Sequence, residues 1–211
     1  MKALLLKDFY QTKKYCRSYL LIVAVFTAVT IVSPEFFFFS AYVCMITGML
    51  PVTLMAYDER SKWNNFTGAL PYGKAEIVLS KYLIGLLMQI AVVIASLLIK
   101  IAAKGFNGIL NDILVYIYSI SVTLVMVGIV MPFLFWLGVE KGRIAYFALV
   151  GTMFGLIFLT TNTTDGNDAS LAIFENASPL TACAVLIGAL ILYSVSGLIS
   201  TAIYKKHEIN S

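Results

Sequence analysis

The chain has 211 residues, 60% of them hydrophobic and only 12% charged, with a mean hydropathy of +0.90 and a formal net charge of +4. Soluble domains run at about 45–50% apolar and about 25% charged, so a soluble globular fold is excluded and an integral membrane protein is expected. The basic residues stand at the ends of apolar runs instead of forming one patch, so the positive balance reads as topology and nucleic acid is excluded as a partner.

Residues 1–18 carry Lys2, Lys7, Asp8, Lys13, Lys14 and Arg17 across their whole length, which argues against a cleavable signal peptide. Helical spacing sets Leu5, Phe9, Thr12 and Cys16 on one face and Lys7, Gln11 and Lys14 roughly opposite. That pattern predicts an interfacial helix on the inner membrane surface; its rival is a basic leader that only fixes topology. From Tyr15 to Tyr57 the chain is long enough to cross a hydrocarbon core of ~30 Å twice, with Pro34 and Glu35 supplying the turn and Phe36 to Phe39 near the outer interface. The third span is expected at about 82–103, ending at Lys100 and Lys104. The fourth lies at about 113–139 and is kinked at Pro132. Glu140, Lys141, Gly142 and Arg143 are read as a short return loop, followed by a fifth span at 144–161 and a sixth at about 181–204.

The segment 162–179 carries Asp165, Asp168 and Glu175 and no basic residue; Leu171 to Phe174 fits either a short helix dipping into the membrane surface or ordinary loop. All but Lys100 and Lys104 of the 15 Lys and Arg fall on one side of this scheme. The positive-inside bias therefore places both termini in the cytoplasm of a bacterial-type cell. The expected organisation is an interfacial helix at 1–18, a six-span all-α domain at 19–204 and a cytoplasmic tail at 205–211.

The polar island at 58–82 separates two apolar runs and is where function is sought. Within it, Gly68 to Ala75 comes one residue short of a P-loop. Ala75 replaces the hydroxyl that would hold Mg²⁺, Pro71 removes an N–H from the phosphate cradle, and no buried strand precedes it, so nucleotide binding is not expected here. The same residues suit a docking element. Asp58 or Ser61 is expected to cap a short helix with Trp63 and Phe66 on one face and Lys62 and Asn65 beside them. Leu70-Pro71 would end it, and Glu76 would sit at the favourable start of the next helix. Aromatics ringed by charge suit a partner's groove, although Trp63 also fits the membrane interface.

With Asp58-Glu59-Arg60 at its start, then Trp63, Leu70-Pro71 and the exit from Lys74 to Tyr82, the island resembles the first cytoplasmic loop of type-2 ATP-binding-cassette permeases. It is similar in particular to small six-span exporter subunits such as those for phenol-soluble modulins. The resemblance implies a coupling loop that docks on a separate ATPase subunit, which would hold ATP and Mg²⁺, while two permease subunits, expected as a homodimer in membrane lipid, line the substrate path. It makes Asp58, Glu59, Arg60, Lys62, Trp63 and Phe66 contacts to that ATPase. Leu70, Pro71, Lys74 and Glu76 would hold the angle at which its motion enters the third span. Amphipathic peptides are the cargo it suggests.

No cofactor, metal site or enzyme activity is expected in the chain itself. Cys16, Cys44 and Cys183 share no short spacing, and His207 is the single histidine, so a zinc hydrolase or a Ser-His protease lacks its parts. Ion-coupled carriers place ionisable groups near the midplane, whereas the most polar group deep in these spans is Gln89. Gln89 is thus a candidate for the substrate path, with a helix-to-helix contact as its other role. A carrier so built draws its energy from outside the membrane. The competing function is a non-transporting scaffold or immunity subunit that uses the same loop to hold a partner.

Overall fold

The computed structural model describes residues 2–15, 17–32, 36–63, 73–105, 108–163 and 179–207. Among them all regular structure is helical: α1 (Lys2–Tyr15), α2 (Arg17–Val32), α3 (Phe36–Gly48), α4 (Leu50–Arg60), α5 (Lys74–Lys104), α6 (Ile109–Leu137), α7 (Val139–Thr163) and α8 (Pro179–His207). Among the described residues four stretches are long and apolar enough to cross a membrane: Ala41–Arg60, Lys74–Ala102, Ile109–Leu137 and Pro179–Lys206. Arg17–Val29 is a shorter apolar helix. Helices are what such runs must form, because hydrocarbon offers no partner for an unpaired backbone N–H or carbonyl.

The helix boundaries follow local chemistry. Pro51 sits in the first turn of α4, where its missing N–H costs nothing, and a one-residue turn at Met49 separates α3 from α4 within the apolar stretch Ala41–Arg60. Helix α5 begins at Lys74, with Glu76 in its first turn, so the helical part of the third span reaches eight residues further into the polar island than the apolar pattern indicates. The expected loop at Glu140–Arg143 is instead the first turn of α7. The whole break is Gly138, whose φ of 85° and ψ of 168° lie in a region essentially closed to side-chain-bearing residues. Proline 132 stays inside α6 without ending it.

The core lies where α4, α5, α6, α7 and α8 meet, around Val52, Val78, Tyr82, Val127, Val130, Met131, Leu134, Tyr146 and Tyr193. Helices α6 and α8 share the broadest contact, with Gly128 passing the backbone of Tyr193 closely. Polarity is inverted relative to a soluble bundle. In α5, Lys81, Gln89 and Ser96 are buried, whereas Leu83, Leu87, Ile94 and Leu98 are exposed. Buried hydroxyls turn back onto their own helices: Thr47 donates to the Val43 carbonyl, Thr123 to that of Ser119 and Ser96 to that of Val92.

Candidate functional site

Three helices bring together charges that the sequence keeps far apart. Lys81 of α5 donates to Asp8 of α1 at 2.7 Å and to Asp58 of α4 at 2.5 Å, and Lys7 of α1 donates to Asp58 at 2.7 Å. Asp8, Asp58 and Lys81 are buried and Lys7 is half-buried. The cluster is electrically balanced, which is what allows it to persist away from water; a single member left alone there would cost several kcal/mol, of order 3–5. Among the described residues Asp8 Oδ2 is buried without a hydrogen-bond donor.

This arrangement corrects the expected facing of α1. The buried strip is Leu4, Asp8 and Thr12, with Lys7 and Gln11 turned inward, while Phe9 is 50% exposed alongside Leu6 and Tyr10. The ion pairs, together with Gln11 donating to the Leu54 carbonyl, select that face over the more apolar one. Cys16 lies outside the described residues. The expected capping by Asp58 is also corrected, while the helix expected to start at Ser61 runs into residues outside those described. Asp58 is inside α4, held by the two lysines, and the Ser61 hydroxyl donates to the Asp58 carbonyl at the end of that helix. A helix carrying Phe66, and Leu70 and Pro71 with it, falls outside the described residues, as do Pro34, Glu35 and the segment at 164–178.

The cluster reaches the surface through Trp63, whose ring lies under the Lys7 ammonium, 4.1 Å from its centroid. Arg60 and Lys62 are exposed beside it, and Lys62 adopts a φ of 53° where the chain leaves α4. Glu59 points the other way: the Val139 N–H at the start of α7 donates to its carboxylate at 3.4 Å. Between these elements is a cleft of about 340 Å³ lined by Asp58, Glu59, Trp63, Lys81, Phe135, Trp136 and Tyr204, among others. Lys74 and Glu76 open α5 at the same end. Gln89 lies elsewhere, buried between α3 and α5, with its amide donating to the Cys44 carbonyl at 3.4 Å.

Sequence reasoning placed Asp58, Glu59 and Trp63 in one functional stretch but missed Lys7, Asp8 and Lys81 as their partners, and missed Trp136. A signal existed for two of them. Asp8 is the one acid in a basic leader, and Lys81 shares a helix face with Gln89, both being points where a lone charge or amide in lipid demands a partner. A second ion pair joins Lys100 and Asp112 where α5 gives way to α6. Among the described residues no group of His, Cys, Asp or Glu is placed to hold a metal ion.

Comparison with known proteins agrees with this architecture. The family described as "ABC-2 family transporter protein" matches residues 3–205, nearly the whole chain. No curated protein and no solved structure matches. An all-helical membrane chain matched over that length belongs to the ABC-2 family of transporter proteins.

Proposed function

We propose that the chain is the permease subunit of an ATP-driven exporter, working as a homodimer in the cell membrane with a separate ATPase that binds ATP and Mg²⁺. Six spans with both termini cytoplasmic set residues 58–82 against that ATPase, and the cargo is hydrophobic or amphipathic, a peptide being the favoured class. One observation carries the reading: an unbroken line of contacts runs from Trp63 to Lys7, from Lys7 to Asp58, and from Asp58 to Lys81 in α5. A push on Trp63 thereby reaches both a membrane-crossing helix and the amino-terminal helix through two lysine side chains that the ion pairs with Asp58 hold in place. In this mechanism Arg60, Lys62, Trp63 and Phe66 touch the ATPase, while Asp58 transmits. Leu70, Pro71, Lys74 and Glu76 set the entry angle of α5. Gln89 joins the cargo path by exchanging its contact with Cys44 for one to substrate.

The test is co-purification. Trp63→Ala combined with Phe66→Ala should cut the recovered ATPase by roughly tenfold, the effect of losing one aromatic anchor, with membrane insertion unchanged. Cargo should also stimulate ATP hydrolysis by the reconstituted complex. Full retention of the ATPase by the double variant would remove the docking assignment, and binding without stimulation would make the chain a scaffold.

A further inference from the structure

Both tryptophans of the chain, Trp63 and Trp136, line the same cleft. Phe135 and Tyr204 complete an aromatic wall around two carboxylates, Asp58 and Glu59. Asp58 is shared by two lysines, one of which, Lys81, also lines the cleft. Glu59 has no cation among the described residues; the Val139 N–H is its polar contact. Aromatic faces around one uncompensated carboxylate suit an ammonium group. At about 340 Å³ the space takes a headgroup and not merely a few waters, each of which occupies ≈ 30 Å³ in the liquid.

The rim, formed by the residues next in sequence to the lining, has the opposite sign: Arg60 and Lys62 stand between the lining residues Glu59 and Trp63, and Lys141 and Arg143 follow the lining residue Val139, all four exposed, with Glu140 the acid among them. The mouth is apolar: Trp136 is 57% and Leu137 42% exposed, next to exposed Phe133 at the end of α6, the level at which tryptophan marks the boundary between lipid and water. A ligand matching all three features carries a cation for the interior, an anion for the rim and an apolar body for the mouth. We propose that this cleft binds one zwitterionic phospholipid, its ammonium against Glu59 and the tryptophans, its phosphate at the basic rim and its chains along α6. A basic protein surface would meet the like-charged rim, and a purely anionic lipid would bring nothing for Glu59. Trp63, Arg60 and Lys62 are shared with the proposed ATPase contact, so the test uses the chain without ATPase or cargo.

Because the cleft holds both tryptophans, their emission reports on it, with Glu59→Gln controlling for the response of exposed Trp136 to the surrounding bilayer. The purified full chain, in nanodiscs of phosphatidylglycerol, is titrated with phosphatidylethanolamine while native mass spectrometry counts retained lipid. A saturable emission change and one retained phosphatidylethanolamine, preferred roughly tenfold over phosphatidylglycerol, are expected. Glu59→Gln should abolish that preference. Should Glu59→Gln unfold the start of α7, Lys141→Ala with Arg143→Ala strips only the rim, and should weaken retention while the far-UV circular dichroism stays unchanged. Three results overturn the proposal: emission indifferent to phosphatidylethanolamine, an unchanged preference in folded Glu59→Gln, or ethylammonium or N-acetyl-arginine amide competing as well as phosphoethanolamine, which would make the cleft a plain cation cage.

Discussion

A proline inside a membrane helix leaves the carbonyl four residues earlier without its donor, and in lipid no water replaces it. For Pro132 that carbonyl belongs to Gly128, and the Ser196 hydroxyl of α8 donates to it at 2.5 Å. Ser196 also bonds Tyr82, which bonds Ser200 in turn, and Tyr193 donates to the Tyr82 carbonyl. The carbonyl freed by a proline in α6 is thus met by a side chain of α8, itself bonded to Tyr82 of α5. Ser196→Ala should destabilise the purified protein by about 1–3 kcal/mol, the cost of a buried acceptor left unsatisfied. Pro132→Ala restores the N–H and should make Ser196→Ala nearly silent. A thermal-melting double-mutant cycle measures the coupling, and additive effects would separate the two residues.

At the scale of elements, the four-charge cluster decides where α1 lies. Its partly polar inward strip would not choose this face by burial alone, and the apolar alternative containing Phe9 is left exposed. Lys81→Met leaves two buried carboxylates for one lysine and should cost about 3–5 kcal/mol, releasing α1 to proteolysis. Adding Asp8→Leu restores balance and should recover most of that loss. Limited proteolysis at Lys13 and Lys14, followed by mass spectrometry, reads both outcomes. If α1 stays protected in Lys81→Met, the ion pairs do not hold it. The α6 to α7 corner works by other means: Gly138 allows the sharp reversal, and Glu59 accepts from the N–H that the reversal leaves open.

For the whole molecule, the charge cluster and the Lys100–Asp112 pair lie at opposite ends of α5, the helix that links them. The proposed topology puts the cluster end inside and the other outside. In a background lacking Cys16, Cys44 and Cys183, a membrane-impermeant thiol reagent applied to intact cells should label Asn111→Cys and leave Ser61→Cys unlabelled. The reverse pattern would invert the molecule and detach residues 58–82 from any cytoplasmic ATPase.

Hydropathy, the run of lysines and arginines and the loop residues from Asp58 to Tyr82 were enough to establish a helical membrane protein and to point to the ABC-2 family. Those signals are local: how apolar a stretch is, and which charges border it, can be read along one dimension. The same local reading identified Glu76 at a helix start and Pro132 within a span, but passed over Pro51 because one proline in an apolar run resembles another until the helix breaks. Tertiary structure alone decided the partnerships. Lys81 and Asp8 stand 73 positions apart and Lys7 and Asp58 51, and no spacing rule relates residues on different helices. Only packing could show that two tryptophans from distant helices share one cleft, or that the carbonyl freed in α6 finds its donor in α8. The physical reason is that a buried charge or orphaned carbonyl in lipid announces its need in the sequence, whereas the group that meets it is chosen by which helices come to lie side by side.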